Sequence, residues 1–94
     1  MGVTYEWDPR KAQTNRRKHG ISFEEAASVF QDARAITFDD PDHSEEEPRE
    51  ITIGLSTRGR VLFLSHCDRD DWIRIISARL STPKERKQYA EGLT

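Results

Sequence analysis

The 94-residue chain holds a single cysteine, Cys67, and a single methionine, at position 1. One cysteine excludes an internal disulfide framework and fits a reducing, cytoplasmic setting. Apolar residues make up 34% of the chain, and no run approaches the roughly 20 that a membrane-spanning helix needs. The opening Met-Gly-Val-Thr-Tyr-Glu lacks the basic start and apolar stretch of a secretory leader. Also missing are a Gly-rich phosphate loop, a paired-cysteine zinc pattern, a Gly-x-Ser-x-Gly elbow and His-Glu-x-x-His; each of these would have named a chemistry. The length allows one domain, residues 1–94, with a small core.

Charge, in contrast, is plentiful, at 34% of residues with a net of −2. It is unevenly placed. Residues 39–50 carry seven acids against one base, leaving 14 basic and 10 acidic residues elsewhere. A polyanion responds to local potential rather than net charge, so a basic patch stays available. The acidic stretch Asp39–Pro48, bracketed by Pro41 and Pro48, reads as a solvated loop. Its ligand spacing matches no defined metal site, and no metal or other cofactor is expected.

Residues 3–7 form a first expected strand. Asp8 is a good N-cap, Pro9 suits the first helical turn, and Gly20 suits the position after the last. That helix is mostly polar, and Lys11, Asn15 and Lys18 share one face, a candidate phosphate-facing stripe. Ser22-Phe-Glu-Glu25 reads as a capping box, with Glu25 reaching back, followed by a core face of Phe23, Ala26, Ala27, Val29 and Phe30. Ala35–Phe38 is the second expected strand and Glu50–Ser56 the third. A two-residue Arg58-Gly59 turn leads into the fourth, Arg60–Ser65. Trp72–Arg79 is the fifth, apolar on both faces as in a central strand. Thr82-Pro83-Lys84-Glu85 starts the last helix with a capping box. The expected fold class is α+β, with helices packed on an antiparallel sheet in the order β-α-α-β-β-β-β-α.

Arg60, Arg74 and Arg79, with Tyr89 on the following helix, suit RNA cleavage without a metal. That reaction needs the 2′-hydroxyl deprotonated, the leaving oxygen protonated and the added negative charge on phosphorus stabilised. A guanidinium fork matches phosphate oxygens. Proton transfer falls to His19, His43, His66, Tyr89 or a carboxylate. Residue types alone leave an alternative open: arginines paired to the abundant acids, Arg74 with Glu6 or Glu50. His66 and Cys67, adjacent on a strand, point to opposite faces and make a poor nucleophile–base pair.

Glu6-Trp-Asp-Pro-x-Lys11, Asn15-x-x-Lys18-His-Gly20, Ser22-Phe-Glu-Glu-Ala26, Val29-Phe-x-Asp32, Asp42-His-Ser44, Ile53-Gly54, Gly59-Arg60 and Arg74-Ile-Ile-Ser-Ala-Arg79 together resemble the BrnT family. The resemblance runs from Tyr5 to about Glu91. It departs at Ala33, where many BrnT sequences have proline after the aspartate. It implies a RelE-like fold and a ribonuclease toxin of a type II toxin–antitoxin system that cleaves mRNA and inhibits translation. It also implies a BrnA-like antitoxin that neutralises the toxin, operator DNA bound only through that antitoxin, a homodimer within the complex, and no membrane. The wider RelE-like pattern makes Arg60, Arg79 and Tyr89 the expected catalytic residues, with His43 and His19 as further candidates. Lys11, Lys18, Arg58, Arg74 and Lys84 are the expected RNA contacts. The function that competes with catalysis is a non-catalytic partner acting as co-repressor with the antitoxin at its operator.

Overall fold

The computed structural model describes residues 3–42 and 48–92. Its elements are β1 (Thr4–Glu6), α1 (Pro9–His19), α2 (Phe23–Ser28), a 3₁₀ helix (Val29–Gln31), β2 (Ile36–Asp39), β3 (Glu50–Leu55), β4 (Val61–Arg69), β5 (Trp72–Leu80) and α3 (Pro83–Glu91). The sheet order is β1-β5-β4-β3-β2. It is mixed rather than antiparallel, because β1 runs parallel to β5, pairing Tyr5 with Ile73 and Glu6 with Arg74.

Caps fix the helix ends. Asp8 accepts the Arg10 N–H at 2.8 Å, and Gly20 closes α1 in the left-handed region at φ 72°. Only glycine takes that angle without a side-chain penalty. Thr82 and Glu85 form the full capping box at α3. At α2, Ser22 does cap Glu25 N–H, but the Glu25 side chain turns inward instead of reaching back. The β3–β4 connection is also wider than a two-residue turn. Ser56 N–H donates to Arg60 O at 2.8 Å and Gly59 N–H to Ser56 O at 2.9 Å, so the tight turn spans Ser56–Gly59.

Two cores separate the faces of the sheet. On one face Leu62, Leu64, Ile75 and Ala78 meet Ile21, Phe23, Ala26 and Val29 beneath α1 and α2. On the other, Ile36, Ile51 and Ile53 pack with Phe38, Val61, Phe63 and Tyr89 of α3. An irregularity opposite Ser65/His66 lets Ile76 of β5 go unpaired. The side-chain alternation of β5 therefore shifts by one residue there, which is why Ile75 and Ala78 both enter the same core. The shift also sends Ser77 and Arg79 to the α3 side.

Candidate functional site

The α3 side of the sheet reads as rows of cross-strand neighbours. One row is Ile36–Ile53–Phe63–Arg79 and the next is Phe38–Ile51–Ser65–Ser77. A third pairs Cys67, Arg74 and Glu6. α3 covers the first row. The second floors an open pocket lined also by Asp39, Asp40, Pro41, Asp42 and Arg49. Ser77 belongs as well to a shallow cleft against α1, with Arg10, Lys11, Thr14, Lys18, His19 and Ile76. The basic side of α1 and the pocket are thus one continuous surface meeting at Ser77.

Asn15 sets this junction. It is buried, its amide donating to Ala78 O at 2.8 Å and to Ile21 O at 3.0 Å while its carbonyl accepts Ala78 N–H at 3.0 Å. Those bonds replace a missing strand neighbour on the outer edge of β5. Asn15 therefore holds α1 in place through its amide, while Lys11 and Lys18 line the cleft beside it.

Arg79 lies at the boundary between the covered row and the open one. Its guanidinium sits 4.0 Å above the Phe63 ring and makes two 2.9 Å hydrogen bonds to Glu85, one to each carboxylate oxygen. Burial pushes the Glu85 carboxyl up, but hydrogen bonds from Arg79 and Thr82 outweigh it and hold it below the usual carboxylate range. A flat guanidinium fixed on an aromatic face with a bidentate oxyanion is the geometry a phosphate would also take.

The other expected site residues scatter. Arg60 sits on the opposite side of the sheet, its Nε donating to Glu25 Oε2 at 2.9 Å and its second nitrogen to Oε1. Glu25 is buried and held low chiefly by that Arg60 bond, and Ser56 Oγ donates to it at 2.7 Å. Arg58 is exposed in the turn, Lys84 on the first turn of α3. Tyr89 donates its hydroxyl to Asp32 Oδ2 at 2.6 Å, and burial followed by that bond raises its phenol. Arg74 pairs with Glu6 at 2.8 Å. His19 is exposed at the end of α1. His43, Ser44 and Glu45 to Glu47 lie outside the described residues. Lys11, Lys18 and His19 line one cleft with Ser77; Arg79, two residues along β5, is turned to Phe63 and Glu85, and Arg60, Arg58 and Tyr89 line neither that cleft nor the pocket.

Sequence reading did not single out Phe38, Ser65 and Ser77, whose only signal was strand alternation, or Arg49, which precedes β3. It also missed a second cluster, on the α2 side. His66 Nδ1–H donates to Asp68 at 2.6 Å, while Thr52, itself bonded to Thr37 at 2.8 Å, meets Nε2 at 2.7 Å. Burial holds the imidazole below its ordinary value against the pull of Asp68. Glu50 joins them, its carboxyl raised by burial and then by Asp68. One ligand atom from each of Glu50, His66 and Asp68 lies within 4.8 Å of the others, so these three are the residues able to hold a metal ion among those described. The His66-x-Asp68 spacing on one strand face was the available clue.

Fold and surface together define a small α+β protein built on a five-stranded mixed sheet, with Arg10, Lys11 and Lys18 lining the cleft between its last strand and α1. Residues 7–85 match the family described as the ribonuclease toxin BrnT of type II toxin–antitoxin systems, and the chain belongs to that family. The fold is similar to the crystal structure of the Brucella abortus ribonuclease toxin BrnT, with a TM-score of 0.63 and 24% identity over 87% of this chain and 97% of that one. No match was found among curated proteins. A type II family implies an antitoxin partner. None of the described helices is long and apolar enough to cross a membrane.

Proposed function

We propose that this chain cleaves mRNA on the open sheet face between α1 and α3, without a metal ion, and thereby inhibits translation. The observation that carries the reading is Arg79, fixed on Phe63 two residues along β5 from Ser77, which lines a cleft with Lys11, Lys18 and His19. In the reaction the 2′-oxygen bonds to phosphorus as the bond to the 5′-oxygen breaks. The proton lost by the 2′-hydroxyl goes to a base, and the leaving oxygen takes one from an acid. Arg79 exchanges Glu85 for the phosphate oxygens and stabilises the extra charge. Lys11, Lys18 and Arg74 hold the flanking phosphates. His19, exposed at the end of α1, and His43 are the proton-transfer candidates. Arg60 supports the fold through Glu25. We further propose a RelE-like relationship for this single domain, a cytoplasmic location, neutralisation by a BrnA-like antitoxin, a homodimer within that complex, and operator binding only through the antitoxin.

Expression of the chain alone in bacteria, beside Arg79→Ala, tests this. Growth arrest with RNA decay that Arg79→Ala abolishes is expected; no arrest from soluble, folded protein would overturn it. One observation favours the second reading, a non-catalytic co-repressor: Arg60, Arg79 and Tyr89 each already hold a carboxylate, from Glu25, Glu85 and Asp32. Under that reading the toxin is harmless alone but tightens antitoxin binding to operator DNA.

A further inference from the structure

Glu85 is held from two sides. In front, Arg79 Nη1 donates to its Oε1 and Nη2 to its Oε2, each at 2.9 Å. The guanidinium lies over the Phe63 ring at 4.0 Å, which fixes where those two donors point. Behind, Oε1 also accepts the Thr82 N–H at 2.8 Å, and the Glu85 N–H donates to Thr82 Oγ1 at 3.2 Å. A phosphate that takes the Arg79 fork breaks the front bonds and leaves the bond from Thr82 in place. Glu85 then stays tethered by Oε1 while Oε2 turns free beside the phosphate. The two side chains are 35% and 18% exposed, so a phosphate reaches the pair from solvent.

We infer that Glu85 is the general base of the cleavage step, an inference that rests on the ribonuclease reading. The 2′-hydroxyl sits on the ribose carbon next to the one that bears the phosphate. A base that serves it must come within about 3 Å of its proton, and so must lie beside the group that grips the phosphate. Glu85 is the carboxylate already bonded to that group. Its freed Oε2 takes the 2′-hydroxyl proton, the 2′-oxygen bonds to phosphorus, and the bond from phosphorus to the 5′-oxygen breaks. The 5′-oxygen takes a proton from the acid that the ribonuclease reading already requires, leaving a 2′,3′-cyclic phosphate and a 5′-hydroxyl. Glu85 then returns its proton to water. The exchange also activates the base. Arg79 and Thr82 hold the carboxyl low in the free chain; losing Arg79 and gaining an anionic neighbour both favour the protonated form. Helix capping alone does not call for the charge, because glutamine serves a capping box as well.

Single-turnover cleavage of a single-stranded RNA by the full chain, wild type beside Glu85→Gln, tests this. Glutamine keeps the capping box and the side-chain size but takes no proton; an unchanged melting temperature confirms the fold. At saturating protein the rate is expected to fall about 100-fold or more. A 2′-O-methyl copy of the same RNA, which cannot be cut, should bind Glu85→Gln at least as tightly as the wild type. The wild-type rate should fall with acid in the carboxylate range, and Glu85→Gln should lose that limb. A wild-type limb near about 6.5 assigns the proton to a histidine and overturns the inference, even where the variant misfolds. Glu85→Gln cutting as fast as the wild type, or losing rate only in step with binding of the copy, also overturns it and leaves the ribonuclease standing. No cutting by folded wild type overturns the ribonuclease reading, and this inference with it.

Discussion

Arg60 and Glu25 show how much one residue's partner decides its role. The Glu25 side chain is 4% exposed and Arg60's 33%, so removing Arg60 strands a buried carboxylate. Arg60→Ala should cost about 3 kcal/mol, measured by chemical denaturation. The pair also ties stability to pH. Glu25 titrates below its ordinary 4.5 in the folded chain, so its contribution is complete above 4.5 and is lost as pH falls through the lower folded value. Melting temperature should therefore drop more steeply below pH 4.5 for the wild type than for Glu25→Gln; parallel curves would refute this. His66 acts in the same direction at a higher pH. Kept neutral by burial, it favours the folded state less and less as pH falls from 6.5 toward its lowered folded value. Arg60, after a turn glycine, and Arg79, at a strand end before a helix, were both phosphate candidates in the sequence, and only the folded chain sends one to Glu25 and the other to Phe63 and Glu85.

Among the elements, those set by local chemistry were legible and those set by distant pairing were not. Asp8, Pro9, Gly20, Thr82 and Glu85 mark helix ends because caps act within four residues. The parallel docking of β1 on β5 joins residues 68 apart, as Glu6 does with Arg74, and leaves no local trace. The unpaired Ile76 is likewise invisible, although it aims Ser77 and Arg79 at the site. Asn15 looked like one polar residue of a basic stripe, yet it clasps α1 to Ala78. Asn15→Ala should lower stability by about 2 kcal/mol and speed hydrogen exchange at Ala78; unchanged exchange would show that α1 docks without it. Gly54 is a second such joint. A Cβ there would meet Val29 Cγ1 at 2.7 Å and Ala35 Cβ at 2.8 Å, so β3 passes under the 3₁₀ helix only with glycine. Gly54→Ala should destabilise by about 1–3 kcal/mol, read as a lowered urea midpoint.

At the scale of the whole molecule, one sheet divides labour between its faces. The side beneath α1 and α2 is a closed core with the Arg60–Glu25 pair and the His66 chain. The other carries Arg79, the serine row and a border of α1 lysines. Family membership was legible in the motifs, because they are spread from Tyr5 to Glu91. The site was less so, since Phe38, Arg49 and Ser65 become neighbours of Ser77 only through strand order. The proposed role of Arg79 is to stabilise charge on a scissile phosphate. Its most direct test is cleavage of a single-stranded RNA by purified protein in chelator, comparing wild type with Arg79→Ala at matched melting temperature. Cleavage by the wild type, slowed about 100-fold or more by the substitution, is the predicted result. Intact RNA after incubation with folded wild type, or equal rates for the two proteins, would contradict it.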